Sequence, residues 1–182
     1  MRVKSRWNRK DKTHTVEEIA GALAFIIWRL GGNGVLSMEN AGFQTETNLQ
    51  RLNILAEFAA FAIHIADRMT IERFSDDERL RFMTELARKT AGHYEDNKRD
   101  FAGDGAWGQE FIDLLNARMG EYAEFGYSEE EGPSFGMKRL FGDKLKKAFG
   151  EADEKWVSQQ IIDIEVPEIM SHLKRSVPNL FM

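Results

Sequence analysis

The stretch LQRLNILAEFAAFAIHIADRMTIERF, Leu49 to Phe74, decides the fold. Projected at about 100° per residue, Leu52, Leu55, Phe58, Ala59, Ala62, Ile65, Ala66 and Met69 fall on one side of a helix, with Ile54 and Phe61 at its edge. The polar residues Gln50, Asn53, Glu57, His64 and Arg68 make only a narrow stripe. A helix this apolar must be covered nearly all round. The pattern therefore predicts the central helix of a bundle, exposed along one seam.

Working outward, Phe74-Ser75 is too short to be anything but a tight connection, so the next helix should fold back as an antiparallel neighbour. Ser75 with Glu78 fits a capping box for its start, and Leu80, Met83, Ala87, Ala91 and Tyr94 read as its core stripe. The alanines at 59, 62, 66, 87 and 91 would let the two backbones approach. Upstream, Thr15 with Glu18 makes a second capping box, opening a helix over about 15–30 that Gly31-Gly32-Asn33-Gly34 should end. Its face Val16, Ile19, Leu23, Ile26, Ile27 and Leu30 is matched by apolar Ala22, Phe25 and Trp28 on the other side. Such a helix needs cover everywhere, from its own bundle or from another subunit.

Proline is absent before Pro133, which leaves the long intervals between glycine clusters free to be helical. Further helices are expected near 106–124, 135–149 and 153–176, the last broken near Pro167, with boundaries good to about 2–4 residues. No run alternates apolar and polar residues long enough to make a strand. The expected class is all-α: one domain over 15–182, an antiparallel bundle of about six helices without significant β-sheet. An acidic loop near 126–134 is expected to be an internal hinge or boundary.

The remaining composition narrows the function classes. With 182 residues the chain can bury a core of its own, and its lack of cysteine excludes disulfide scaffolds, thiolate zinc sites, iron–sulfur clusters and cysteine nucleophiles. The net charge of −5 is uneven. Residues 1–12 carry six basic side chains and one acid, so a basic, flexible arm over 1–14 is attached to a body of about −10. An acidic body repels nucleic acid over most of its surface, so nucleic acid is not the expected partner. The longest apolar run, Ile19 to Trp28, is half of the ~20 residues a bilayer requires, and Glu17 and Glu18 spoil a secretory signal. The expected setting is the cytoplasm.

Three motifs fail on context. Gly103-Asp104-Gly105-Ala106-Trp107-Gly108 fits the dinucleotide fingerprint but follows the polar end of a helix instead of a strand. Gly132-Pro133-Ser134-Phe135-Gly136 fits a nucleophile elbow, yet three glutamates precede it, and Ser134 reads better as a helix cap. Asp96, Asp100 and Asp104 lack the glycine and terminal glutamate of a calcium loop.

Histidine and carboxylate are the remaining metal chemistry. His64 with Asp67, and His93 with Asp96, are each three residues apart on one helical face. Folding the hairpin about residues 74–75 would set Glu57 level with His93, and His64 level with Glu85. Those layers lie about 10.5 Å apart along the axis, too far for one centre. A helical metalloprotein using Glu57, His64, Asp67 and His93 is therefore the alternative reading, and the leading one needs no cofactor. Glu168 and His172 form a single further pair.

The most suggestive surface is Phe135 to Phe149. Lys138, Arg139, Lys144, Lys146 and Lys147 face one acid, Asp143, while Phe135, Leu140, Phe141, Leu145, Ala148 and Phe149 recur at helical spacing. A basic amphipathic helix can meet an acidic partner or lie on an anionic membrane, and inside a bundle it is a surface helix with its lysines in water, beside the acidic loop. In the preceding segment Asn116 and Arg118 are polar groups on an apolar helix, followed by the aromatics Tyr122, Phe125 and Tyr127. The sequence thus points to a helical interaction or scaffold protein, a homo-oligomer such as a dimer or a binder of another protein. Its contact surfaces would be the first helix and the basic segment, with peripheral membrane contact as a further alternative.

Overall fold

Both capping boxes form. In a computed structural model that describes residues 14–150 and 154–182, the Thr15 hydroxyl accepts from the Glu18 N–H while the Glu18 carboxylate accepts from the Thr15 N–H, opening α1 (Val16–Asn40). Ser75 and Glu78 repeat the exchange at the start of α3 (Asp76–Ala102). Between them lies α2 (Asn48–Thr70), capped by Thr47 and joined to α3 by the 3₁₀ turn Ile71–Arg73. All-α is the fold class. The basic arm expected over 1–14 lies outside the described residues except for His14.

Gly31 to Gly34 do not end α1, which runs on to Asn40. The reason is packing. A Cβ on Gly34 would stand 2.5 Å from the Phe58 ring, and one on Gly31 would stand 3.1 Å from Leu55. Glycine costs about 1 kcal/mol per helical position, and the close seating of α1 on α2 offsets that cost. The extension corrects the membrane reading as well: α1 is, among the described residues, long and apolar enough to cross a bilayer by length and composition. Half of that window is buried inside the protein.

The stripe on α3 is displaced from the one expected. Phe82, Leu86, Thr90, Ala91, Tyr94 and Lys98 are buried, whereas Leu80 is 68% exposed. The buried row steps by four residues, and Thr90 enters it because its hydroxyl donates to the Leu86 carbonyl. α3 packs more closely on α1 than on α2. Arg81 bonds Glu17 near the start of both helices, His93 stacks on Trp28, and Phe101 shares a groove with Leu36. α1 and α3 therefore run side by side in one direction, and the expected hairpin of α2 with α3 is the lesser contact.

After α4 (Trp107–Ala123) the acidic loop forms a small antiparallel ladder, β1 (Tyr127–Ser128) with β2 (Gly132–Pro133). Ser134 then caps α5 (Phe135–Phe149), accepting from the Met137 N–H as a cap should. The last segment breaks where Pro167 predicts: α6 (Glu154–Gln160) passes through a π-turn, Ile161–Glu165, into α7 (Val166–Asn179). Proline has no N–H to donate, and the wider turn, with the Val166 N–H reaching the Ile161 carbonyl, accommodates it. One apolar cluster draws on all seven helices. Phe61 and Phe141 stack at its heart with ring centres 4.2 Å apart, flanked by Phe58 and Tyr122.

Candidate functional site

Of the polar stripe of α2, Asn53 is exposed and Gln50 and Arg68 are half-buried, but its middle is not a solvent seam. Glu57 is 6% exposed and His64 2%, because α4 and α5 lie over them. Arg118 of α4 grips Glu57 with two parallel hydrogen bonds of 2.7 and 2.6 Å. It also reaches Glu121, whose other oxygen accepts from Lys144 of α5 at 2.6 Å. The Glu57 carboxylate holds the Arg118 guanidinium above its already high pKa. Burial would raise Glu121, but the bonds from Lys144 and Arg118 outweigh it and leave that acid below the ordinary range. The four charges brace α2, α4 and α5 together.

The four residues of the metal reading do not converge. Glu57 is committed to Arg118, and Asp67 to Arg79 of α3 through bonds of 2.8 and 2.7 Å. His93 stacks on Trp28 at 5.9 Å and lies 6.3 Å from the Phe25 ring, both on α1, whereas His64 lies against Tyr122 of α4. Glu85 pairs with Arg88 and Lys89 of its own helix, so neither expected cross-helix layer exists. Among the described residues no three histidine or carboxylate side chains are placed to hold an ion.

His64 has a different environment from any predicted for it. Its Nε2 receives a long 3.4 Å bond from Arg68, its Nδ1 has no partner, and its ring lies 5.5 Å from that of Tyr122. The Tyr122 hydroxyl is likewise buried without a partner. Burial lowers the His64 pKa to about 4, Arg68 pushes it the same way, and Asp67 opposes them weakly. Burial also raises Tyr122 well above its usual value. Both rings are neutral at pH 7.

The basic face of α5 is partly consumed. Met137, Phe141, Leu145 and Phe149 are buried, Lys144 is bonded to Glu121, and Lys146 leans on Asp143. Lys138, Arg139 and Lys147 make no ion pair among the described residues, and none of these lysines pairs with the acidic tip Glu129 to Glu131. The expected neighbourhood of loop and helix is therefore not an electrostatic one. Asn116 is exposed, while Arg118 is half-buried and bonded to Glu57.

α1 keeps one apolar face in the open. Phe25 is 54% and Leu36 50% exposed, with half-buried Trp28 and Gly32 between them. Beside this stripe a groove of about 600 Å³ runs between α1, α2 and α3, its walls including Trp28, Gly32, Leu36, Leu55 and Phe101. Arg29 lies over the Phe25 ring at 5.8 Å, and Asp100 borders the same groove. Neither charge has an ionic partner among the described residues. A second cavity of about 470 Å³ opens above Glu57, where α4 and α5 both lean on α2. Compared with known protein families, curated proteins and solved structures, the chain matches none.

Proposed function

We propose that this chain is a helical interaction protein that acts by self-association through the outer face of α1. The observation that carries the reading is the run of exposed Phe25, half-buried Trp28 and Gly32, and exposed Leu36 on a helix whose opposite side is sunk in the core. Contiguous apolar surface of this kind marks interaction sites. The stripe is also self-complementary. A twofold axis near residues 30–31 sets Phe25 against the mate's Leu36 and Arg29 against the mate's Gly32, where no atom lies within 4 Å of a would-be Cβ. Arg29 and Asp100 on the two sides of the groove supply opposite charges for the mate.

Sedimentation equilibrium of the full chain tests this. A reversible dimer is expected in the micromolar range, and Phe25→Glu or Leu36→Glu, both at exposed positions, should return it to monomer with its helix content intact. A wild type that stays monomeric throughout that range would refute self-association. The length and composition of α1 favour a second reading, contact with a bilayer. Monomeric protein that co-sediments with anionic vesicles, and loses this on Phe25→Glu, would put a membrane in the place of the second copy.

A further inference from the structure

The cavity above Glu57 is built by four helices. Glu57 of α2, Tyr94 of α3, Glu110 and Phe111 of α4 and Lys147 of α5 line it, and Asn53, exposed on α2, borders it. At about 470 Å³ it lies within the ~300–1,000 Å³ of small-molecule sites. It exists because α4 and α5 pack on α2 and scarcely on each other. The chain Glu57, Arg118, Glu121 and Lys144 spans the gap and holds it open, so a ligand would not have to order it first.

The charges in this cavity can be accounted for one by one. Glu57 is neutralised by the two-pronged Arg118. Glu110 accepts from Lys98 at 2.7 and 2.5 Å and from the Tyr94 hydroxyl at 2.8 Å, and Lys98 itself rests 4.2 Å over the Trp107 ring. Lys144 is matched by Glu121. One lining charge is left over, the ammonium of Lys147, and one lining amide, that of Asn53, makes no hydrogen bond among the described residues. The rest of the wall is apolar: Ala56, Phe111, Leu114 and Ala148.

We infer that this cavity binds a small monocarboxylate with an aromatic or short alkyl body, its carboxylate on Lys147 and the Asn53 amide and its body against Phe111 and Leu114. A single uncompensated cation suits one negative charge. A dianion such as phosphate would bring a second charge close to Glu57 and Glu110 and would leave the apolar wall uncovered. The face of α1 lies elsewhere, so this site is independent of self-association.

Phenylacetate and its uncharged counterpart phenylacetamide separate the two halves of the inference. The full-length protein is titrated with each, at low salt, by calorimetry and by amide chemical shifts. Phenylacetate should bind with a Kd of about 1 mM or tighter, moving the amides of Leu114 and Ala148, and phenylacetamide should bind about tenfold more weakly. Lys147→Gln, at an exposed position, should weaken phenylacetate about tenfold and leave phenylacetamide unchanged, whereas Arg139→Gln on the outer side of α5 should change neither. Equal affinities for the two probes, shifts confined to another surface, no saturable binding of phenylacetate, or an unaltered Lys147→Gln would each overturn the assignment.

Discussion

Acidification from pH 7 to pH 4.5 should unload stability through one side chain, His64. In the folded chain its pKa is depressed to about 4 by burial and by Arg68, while the unfolded chain returns it to about 6.5. The unfolded state therefore takes up the proton first. The contribution is constant above pH 6.5, declines as the pH falls, and levels off below 4. Each unit of displacement is worth about 1.4 kcal/mol, so at pH 4.5, with the unfolded histidine almost wholly protonated and the folded one mostly neutral, roughly 2 kcal/mol is lost. Urea unfolding at half-unit steps from pH 7 to 4.5, followed by circular dichroism, measures it. Other groups titrate toward the acid end, including Glu110 and Glu121, so His64→Phe is carried through the same series. Phenylalanine keeps a ring against Tyr122, removes the unpartnered Nδ1 and cannot protonate. Its curve should be flatter than wild type by roughly 2 kcal/mol across that window. Two curves that fall in parallel would show that His64 is not held neutral by burial, and the account of the α2–α4 seam would be wrong.

Further outcomes follow from the packing around Glu57 and along α1. Arg118→Met leaves Glu57 buried without its partner and should cost about 3–5 kcal/mol in urea unfolding, most of which the double variant Glu57→Leu/Arg118→Met should recover. Gly34→Ala pushes a methyl into the Phe58 ring and should cost about 1–3 kcal/mol, whereas Gly32→Ala meets open space and should raise monomer stability by about 0.5–1 kcal/mol. If α1 pairs with a second copy through Gly32, the latter variant should also weaken the dimer in sedimentation, so stability and association would move in opposite directions.

Local signals survived the passage from sequence to structure, and long-range ones did not. Thr15, Ser75 and Ser134 were legible as caps because a cap is satisfied by residues three positions away. The break near Pro167 was legible for a similar reason, since a missing N–H is a property of the residue itself. The glycines of α1 misled because their role depends on Phe58 and Leu55, in a helix the local pattern does not see. Glu57 and His64 misled in the same way: a polar stripe reads as a wet seam unless one knows that Arg118, 61 residues on, is waiting to neutralise it. The apolar excess of α1 and the unmatched cations of α5 were visible as features in search of cover. Which of them finds it inside the fold is decided by how α3, α4 and α5 are laid down. For α5 most of the apolar side is buried, with Phe135 at its start left exposed, and for α1 part of it is left outside.

The π-turn at Ile161–Glu165 is equivalent to one extra residue threaded into a continuous α-helix. One residue is about 100° of rotation, so everything after it is turned by more than a quarter of a circle relative to α6. That turn is what aims Val166, Ile169, Leu173 and Val177 at the core along with Val157 and Ile161, and it brings the buried Glu165 carboxylate to Ser37 at 2.7 Å and Gln160 at 3.0 Å. The C-terminal helix therefore depends on an angular phase, and counting matters there more than chemistry. Exchanging exposed Ile164 for a polar residue leaves the phase alone, and removing it would let Val157, Ile161, Val166 and Ile169 share one face of an uninterrupted α-helix, so the apolar edge of α7 would stay on the core.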